Sequence, residues 1–187
     1  MDREEIIAAF KDVLEECQTR YSVKAPREGS ISIACGFTLE SKISRVMGVF
    51  EFRQAFIRIF AFSLDDPLVT KNRTEMLRLL AMANQDMAAG CFEYEMETDE
   101  IRFRFFVDCD GYATLPRDFV QNTLLHPFRM FQRYGDAFVA VATGASDAAT
   151  AFAAAHPYDD EDDDETDDEY DVEIDDEYDV ETDGEDF

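Results

Sequence analysis

The chain has 187 residues, with 43 Asp and Glu against 17 Lys and Arg, and a formal net charge of −26 at pH 7. Residues 159–187 hold 20 of the acidic residues and no Lys or Arg, which leaves 23 acids against 17 bases, near −6, before them. Both parts are acidic, so direct binding to nucleic acid is not expected. The start MDREEIIAAF lacks the basic region of a secretory signal, and no apolar run reaches membrane-spanning length. The composition therefore predicts a soluble cytoplasmic protein that does not enter a membrane.

An amphipathic first helix is predicted from Asp2 to about Arg20. Asp2 and Glu5 have the spacing of a capping box. Apolar residues recur behind them at helical spacing, at Ile6, Phe10, Val13, Leu14 and Cys17. Because the polar face is acidic and anionic lipid would repel it, we expect this helix to pack in the core or in a dimer.

Three antiparallel strands are predicted after a linker at residues 26–29. Their alternating positions are Ile31, Ile33 and Cys35, then Val46, Gly48, Phe50 and Phe52, then Ile57, Ile59 and Ala61. The third strand has a second row on its other face, made of Phe56, Arg58, Phe60 and Phe62. Such a strand is either covered by helices on both faces or presents a surface that meets a partner. Burial within the fold is the favoured reading, and the second row is the candidate partner-binding surface.

A second helix is predicted from about Lys71 to Ala89, ended by Gly90. Its expected apolar stripe consists of Leu77, Leu80, Asn84 and Met87. An amide on an apolar stripe needs hydrogen-bond partners. We therefore expect Asn84 to tie the helix to a neighbouring strand or turn and not to bind a ligand.

The segment CFEYEMETDEIRFRFF, residues 91–106, predicts a β-hairpin. With residues 98–99 as a two-residue loop, Glu95 lies opposite Arg102 and Glu93 lies opposite Arg104. The other face is apolar in the same register. Opposite-charge pairs and the apolar face both favour this register.

A long third helix is predicted from near Asp118 to Thr143. Its apolar stripe runs through Leu124, Phe128, Phe131, Tyr134, Phe138 and Val141. Pro127 lies inside it, so we expect a kink or two abutting helices. The alanine-rich residues 145–155 predict either a short helix or a linker.

No catalytic pattern is visible. His126 and His156 have no Cys, Ser or Asp at the spacing of a triad or a metal site, and nucleotide-binding and hydrolase motifs are absent. Residues 108–111 and 179–184 begin like calcium loops but lack the remaining ligands. The four cysteines have no CxxC spacing, so we expect them to be reduced, with Cys109 the most exposed. The sequence predicts no enzyme, no cofactor and no metal.

The acidic tail, residues 159–187, contains the repeat DDEYDVE at 167–173 and at 175–181. Dense charge with few core-forming residues predicts a disordered segment. Tyr170 and Tyr178 are interleaved with the acids, so the tail is either an anchor for a basic partner surface or a solubilising extension. Both interpretations stay open.

The predicted order α-β-β-β-α-β-β-α resembles the YbjN-like family. The resemblance rests on LLAMANQDMAAGCFEYEMETDEIRFRFFVDC, residues 79–109, where Asn84 precedes the hairpin, and on the long last helix. It covers about residues 1–145 and implies the fold of type III secretion chaperones, which are small, acidic, often dimeric proteins that bind extended segments of a partner. The family is described as sensory transduction regulators without a known catalytic residue set. The acidic tail departs from it.

Together these patterns predict an α+β domain at residues 1–145, with an antiparallel sheet packed by helices, an alanine-rich linker at 146–158 and the tail at 159–187. We expect a non-enzymatic, bacterial protein-binding module, chaperone-like or regulatory, with an unidentified protein partner; a homodimer is left open. The candidate partner-binding residues are Phe56, Arg58, Phe60, Phe62, Tyr170 and Tyr178. The alternative is that the tail sequesters basic proteins or divalent cations.

Overall fold

The computed structural model describes residues 2–25, 30–65 and 70–156. In chain order, its elements are α1 (Arg3–Glu16), β1 (Tyr21–Lys24), β2 (Ile31–Thr38), β3 (Arg45–Phe52), β4 (Phe56–Ser63), α2 (Arg73–Asp86), β5 (Cys91–Glu95), β6 (Glu100–Asp108), α3 (Arg117–Thr143) and α4 (Ala148–Ala154). The strands form one antiparallel sheet in the order β1-β2-β3-β4-β6-β5. The predicted α+β fold with an antiparallel sheet is confirmed.

The helices pack on one face of this sheet. That face buries alternate residues of the central strands, including Phe50 and Phe52 of β3 and Ile57, Ile59 and Ala61 of β4. Phe10 of α1 packs edge-on against Phe52, with ring centroids 5.2 Å apart. On α3, Phe128 meets Phe37 of β2 at 4.1 Å, and Phe131 meets Phe92 of β5 at 5.3 Å. The core is therefore a layer of aromatic side chains between sheet and helices.

The sheet has one strand, β1, before the first strand that the sequence predicts. The capping box is confirmed, since the Asp2 carboxylate accepts from the backbone of Glu4 and Glu5 and the Glu5 carboxylate accepts from Asp2 N. However, α1 ends at Glu16, four residues before the expected end, and Gln18 adopts a φ of 55°. The residues that follow form β1, an edge strand that the alternation pattern did not indicate.

The hairpin is correct in its faces but wrong in its register. Glu93 lies opposite Arg102 and Glu95 lies opposite Glu100, a shift of two residues from the prediction. Four residues, 96–99, connect the strands where two were expected, and Asp99 has a φ of 55°. Thr-Asp does not suit a two-residue turn that needs positive φ at both positions, so the longer loop forms. A shift of two keeps every side chain on its predicted face.

Asn84 has the structural role expected of it. Its Nδ2 donates to Phe92 O at 3.0 Å, and its Oδ1 accepts from Phe92 N at 2.7 Å. The side chain thus joins α2 to β5 through both backbone groups of one residue. The expected stripe is wrong at Leu77, which is 44% exposed, whereas Leu80 is buried and Met87 packs against the core. The other buried residues of α2 are Met76, Leu79 and Ala83.

The last two helices complete the layer. The predicted stripe of α3 is buried, and α3 runs continuously through the buried Pro127 to Thr143. The alanine-rich stretch forms α4, whose Ala148 and Ala151 are buried against α2 and α3. The packed part of the chain therefore extends beyond the expected boundary at residue 145. None of the described helices is long and apolar enough to cross a membrane.

Candidate protein-binding face

The side of the sheet away from the helices is the candidate site, and we call it the open face. The sheet register places the following strand residues on it: Ser22, Lys24, Ser32, Ala34, Gly36, Thr38, Arg45, Met47, Val49, Glu51, Phe56, Arg58, Phe60, Phe62, Cys91, Glu93, Glu95, Glu100, Arg102, Arg104, Phe106 and Asp108. The expectation that helices cover the second row of β4 is wrong, because Phe56, Arg58, Phe60 and Phe62 are all partly exposed. The described helices take up only the opposite face.

Aromatic side chains run along the middle of the open face. Phe60 and Phe62 of β4 lie opposite Val49 and Met47 of β3, which are also partly exposed. At the other end of β4, the rings of Phe56 and Phe106 lie 5.0 Å apart. Phe106 is 56% exposed, the largest fraction among the exposed large apolar residues described. The sheet thus presents a row of apolar side chains to its surroundings.

Glu51 is the charged centre of the open face. It is 9% exposed, and its carboxylate accepts hydrogen bonds from Arg58 Nε at 3.0 Å and from Arg53 Nε at 2.7 Å, with a further contact from Arg58 Nη2. Burial raises the pKa of the Glu51 carboxyl, but the hydrogen bonds from Arg58 and Arg53 outweigh burial and leave that pKa below its ordinary value. Arg58 also lies over the ring of Phe60, 5.4 Å from its centroid.

A second carboxylate, that of Glu93, forms ion pairs across the strands β5 and β6. Glu93 of β5 accepts from Arg102 Nε at 2.9 Å and contacts Arg104 Nη2 at 2.9 Å. Both arginine side chains stay 41% and 51% exposed, respectively. A guanidinium has five N–H donors, so these pairs leave donor positions that face outward.

The open face is less acidic than the chain as a whole. With Arg53 at the end of β3, it holds six basic side chains, Lys24, Arg45, Arg53, Arg58, Arg102 and Arg104. Its five acidic side chains are Glu51, Glu93, Glu95, Glu100 and Asp108. Two of those acids, Glu51 on β3 and Glu93 on the edge strand β5, are already paired with arginines. The face therefore suits an occupant that combines apolar and acidic groups.

A depression of about 470 Å³ lies at the edge of this face. It forms where β5 begins, because Cys91 opposite Arg104 is the first pair of the hairpin and β6 continues to Asp108 without β5 beside it. Its lining residues are Arg58, Ala89, Gly90, Cys91, Arg104, Phe105 and Phe106. Two guanidinium groups and an exposed phenyl ring thus border one hollow.

The end of the described chain lies close to this depression. The Asp86 carboxylate at the end of α2 accepts from the Tyr134 hydroxyl at 2.7 Å and lies 3.0 Å from His156 Nε2. Burial raises the pKa of Asp86, but the hydrogen bonds to His156 and Tyr134 outweigh burial and leave that pKa lowered. Three residues separate Asp86 from Ala89, a Cα distance of at most about 11 Å. His156 is therefore held against Asp86, three residues along the chain from Ala89 on the rim of the hollow.

The remaining predicted residues do not add chemistry to the site. His126 Nε2 lies 3.0 Å from Ala89 O, a structural contact.

Cys109, expected to be exposed, is buried, and the four cysteines are free thiols. In the three described ranges, no group of three His, Cys, Asp or Glu side chains could hold a metal ion. Tyr170, Tyr178, the repeat and the predicted disorder of the tail lie outside the described residues.

Part of the site was missed from the sequence. Phe106 and Arg104 on β6, and Met47 and Val49 on β3, border the predicted row of β4. The alternation of side chains along each strand could have placed them on this face, since each lies opposite a β4 open-face residue once the strands are paired.

Comparison with protein-family models gives no match, and comparison with curated proteins gives no similar sequence. The resemblance to the YbjN-like family stays a prediction.

Proposed function

We propose that the protein is a non-enzymatic binding module, chaperone-like or regulatory, that takes a segment of a partner protein on its open face. The observation that carries this proposal is the row of Phe side chains on β4 and β6 that are at least partly exposed, Phe56, Phe60, Phe62 and Phe106, with arginines beside it. Aromatic residues and arginine dominate the binding energy of protein interfaces.

The physical argument is that the open face leaves apolar surface in water. A buried aromatic side chain removes about 150 to 250 Å² from water, and exposed contiguous apolar patches larger than a few hundred Å² mark interaction sites. Phe106 could be replaced by a polar residue at little cost to the core because more than half of it is exposed. The presence of Phe at this position is better explained by a partner than by stability.

The resemblance to the YbjN-like family supports the class of function, since it implies a secretion-chaperone-like domain that binds extended segments. The shifted hairpin register weakens one of the patterns on which that resemblance rests. The open face supports partner binding without it.

The test is affinity capture from native cells with the full-length protein and matched variants. Phe106→Ser and the double variant Phe60→Ser with Phe62→Ser remove the apolar row, while Leu77→Ser removes an apolar side chain of similar exposure on α2. We expect partners captured by the wild type and by Leu77→Ser to be lost from the two open-face variants, with thermal unfolding showing that Phe106→Ser is folded. Equal capture by all folded variants would contradict the proposal.

A second candidate is favoured by the charge of residues 159–187, with 20 acids and no base. In it, the tail captures basic proteins or divalent cations by electrostatic attraction and the domain is a platform. Removing residues 159–187 separates the two functions. Capture that depends on the tail and not on Phe106 supports the second.

A further inference from the structure

We infer that the open face has an occupant within the same chain: the repeat at residues 167–181, which docks across the aromatic row and the hollow beside Arg58 and Arg104. This inference rests on the proposed function, because it assigns a regulator to the same binding face. A partner segment would then have to displace the tail.

The repeat has the composition that the face requires. Tyr170, Val172 and Ile174 alternate with acids, and so do Tyr178 and Val180. In an extended segment, alternate side chains point to opposite sides, so one side would be acidic throughout and the other would be apolar except for Asp168 and Asp176. No Lys or Arg interrupts residues 159–187.

The open face offers phenyl rings for the apolar side chains of the repeat and guanidinium groups for its carboxylates. Phe106, 56% exposed, and its neighbour Phe56 offer ring surface for a tyrosine or a branched apolar side chain. Arg58 and Arg104 border the hollow, with side chains 40% and 51% exposed. Arginine binds carboxylates through several N–H donors and also stacks on aromatic rings. In an extended repeat, Asp168 lies on the same side as Tyr170, and Asp176 on the same side as Tyr178, so each tyrosine has an acid beside it for Arg58 or Arg104.

The described chain ends within reach of the hollow. His156, the last described residue, is held against Asp86, and Ala89 on the rim of the hollow lies at most about 11 Å from Asp86. Residues 157–166 then separate His156 from the repeat, and these 10 residues span up to about 35 Å when extended. A short connection gives an effective concentration in the millimolar range, so even a weak contact would be populated.

The alternative occupants are a second copy of the chain and a foreign protein. A second copy carries the same net charge of −26, which opposes association at low ionic strength. The tail of the same chain avoids the entropic cost of bringing two molecules together. The intramolecular occupant is therefore favoured.

The experiment compares amide and arginine Nε–H NMR shifts of full-length variants. Tyr170→Ser with Tyr178→Ser removes the two aromatic anchors, whereas Asp162→Asn with Asp163→Asn removes two charges outside the repeat. We expect the first pair of substitutions to shift resonances of Cys91, Arg104 and Phe106 without affecting those around Leu77. We expect the second pair to leave the open face unchanged.

Three results would overturn the inference. The open-face shifts could be the same in wild type and tyrosine variant, the charge control could move them as much, or the differences could disappear on dilution, which would assign the contact to a second copy. Partner capture separates this inference from the proposed function. If the shifts do not change but capture still depends on Phe106, tail docking fails and the binding face stands.

Docking of the tail should also lower the apparent affinity of the open face for a partner protein. A tail that occupies the face in nine-tenths of the molecules lowers the apparent partner affinity about tenfold. The Tyr170→Ser and Tyr178→Ser variant should therefore bind a captured partner more tightly than the wild type. Unchanged or weaker binding in a variant whose open-face shifts have moved would contradict the regulatory role.

Discussion

Glu51 and Arg58 lie directly opposite each other on the two central strands, and the Arg58 guanidinium donates to the Glu51 carboxylate on the open face. The carboxylate is nearly buried, whereas the guanidinium is 40% exposed. The pair therefore neutralises the centre of the sheet and keeps Arg58 accessible at its surface.

The first prediction concerns this carboxylate. Glu51→Gln should lower the free energy of unfolding at pH 7 by about 1.5 to 3 kcal/mol, since hydrogen bonds from two charged groups are weakened. The pKa of Glu51 is lower in the folded protein than its ordinary value, so its contribution is present above the unfolded pKa and is lost as pH falls through the folded pKa. Urea unfolding at pH 7 and at about pH 3 should show the difference between wild type and Glu51→Gln shrinking with acid.

Glu95→Gln is the matched control, because Glu95 lies opposite another acid, Glu100. Removing one of two like charges should leave stability unchanged or raise it slightly. Equal losses for Glu51→Gln and Glu95→Gln would contradict the assignment of Glu51 as the paired carboxylate.

The second prediction concerns the link between α2 and β5. Asn84→Ala should lower the free energy of unfolding by about 2 to 3 kcal/mol, because Phe92 N–H and C=O lose their partner together. Asn122→Ala, at an exposed position of α3, should cost less than about 0.5 kcal/mol. Chemical denaturation measures both, and amide exchange at Phe92 should accelerate only in Asn84→Ala.

The third prediction concerns two glycines with similar backbone angles. Gly90 and Gly111 have φ of 79° and 80°, so an alanine at either position costs about 1 kcal/mol of backbone strain. A Cβ at Gly90 would also lie 2.2 Å from Cζ of Phe103, whereas nothing lies within 4 Å at Gly111. Gly90→Ala should therefore cost about 1 to 3 kcal/mol more than Gly111→Ala in thermal or chemical unfolding. Equal costs would show that Phe103 does not pack beneath Gly90.

The sequence predicted the local elements of the fold better than the contacts between them. Alternation placed β2, β3 and β4, and the capping box placed the start of α1, because each depends on residues close together in the chain. The stripe of α3 was equally clear, since six apolar positions recur at helical spacing. Asn84 was interpretable because a polar group on a buried helix face must be hydrogen-bonded.

Other features depended on tertiary contacts. The edge strand β1 has only four residues, and its pairing with β2 supplies the backbone partners that a sequence pattern cannot show. The hairpin register depended on the loop at residues 96–99. In this loop the Asp99 carboxylate accepts a hydrogen bond from the Tyr94 hydroxyl and forms an ion pair with Arg73 of α2. The open face could not be distinguished from a covered one, because β4 is apolar on both sides and only the placement of the helices decides which side is free.

The fourth prediction concerns the thiols. Burial raises the pKa of Cys35 to about 12, and burial, with Asp108 nearby, raises that of Cys109. Both should resist alkylation in the native protein at pH 8, since the thiolate is the reactive form, whereas the partly exposed Cys17 and Cys91 should be modified first. Mass spectrometry of the native and the denatured protein counts the modified sites. Rapid native labelling of Cys109 would contradict its burial beside β4.

The central claim is that a protein segment binds the open face, and site-specific photocrosslinking in cells tests it most directly. A photoreactive phenylalanine analogue at position 106 should yield adducts with another protein or with residues 167–181. The same analogue at position 77, on the helical side, should yield few or none. Adducts of equal yield from both positions, or none from position 106, would contradict the account.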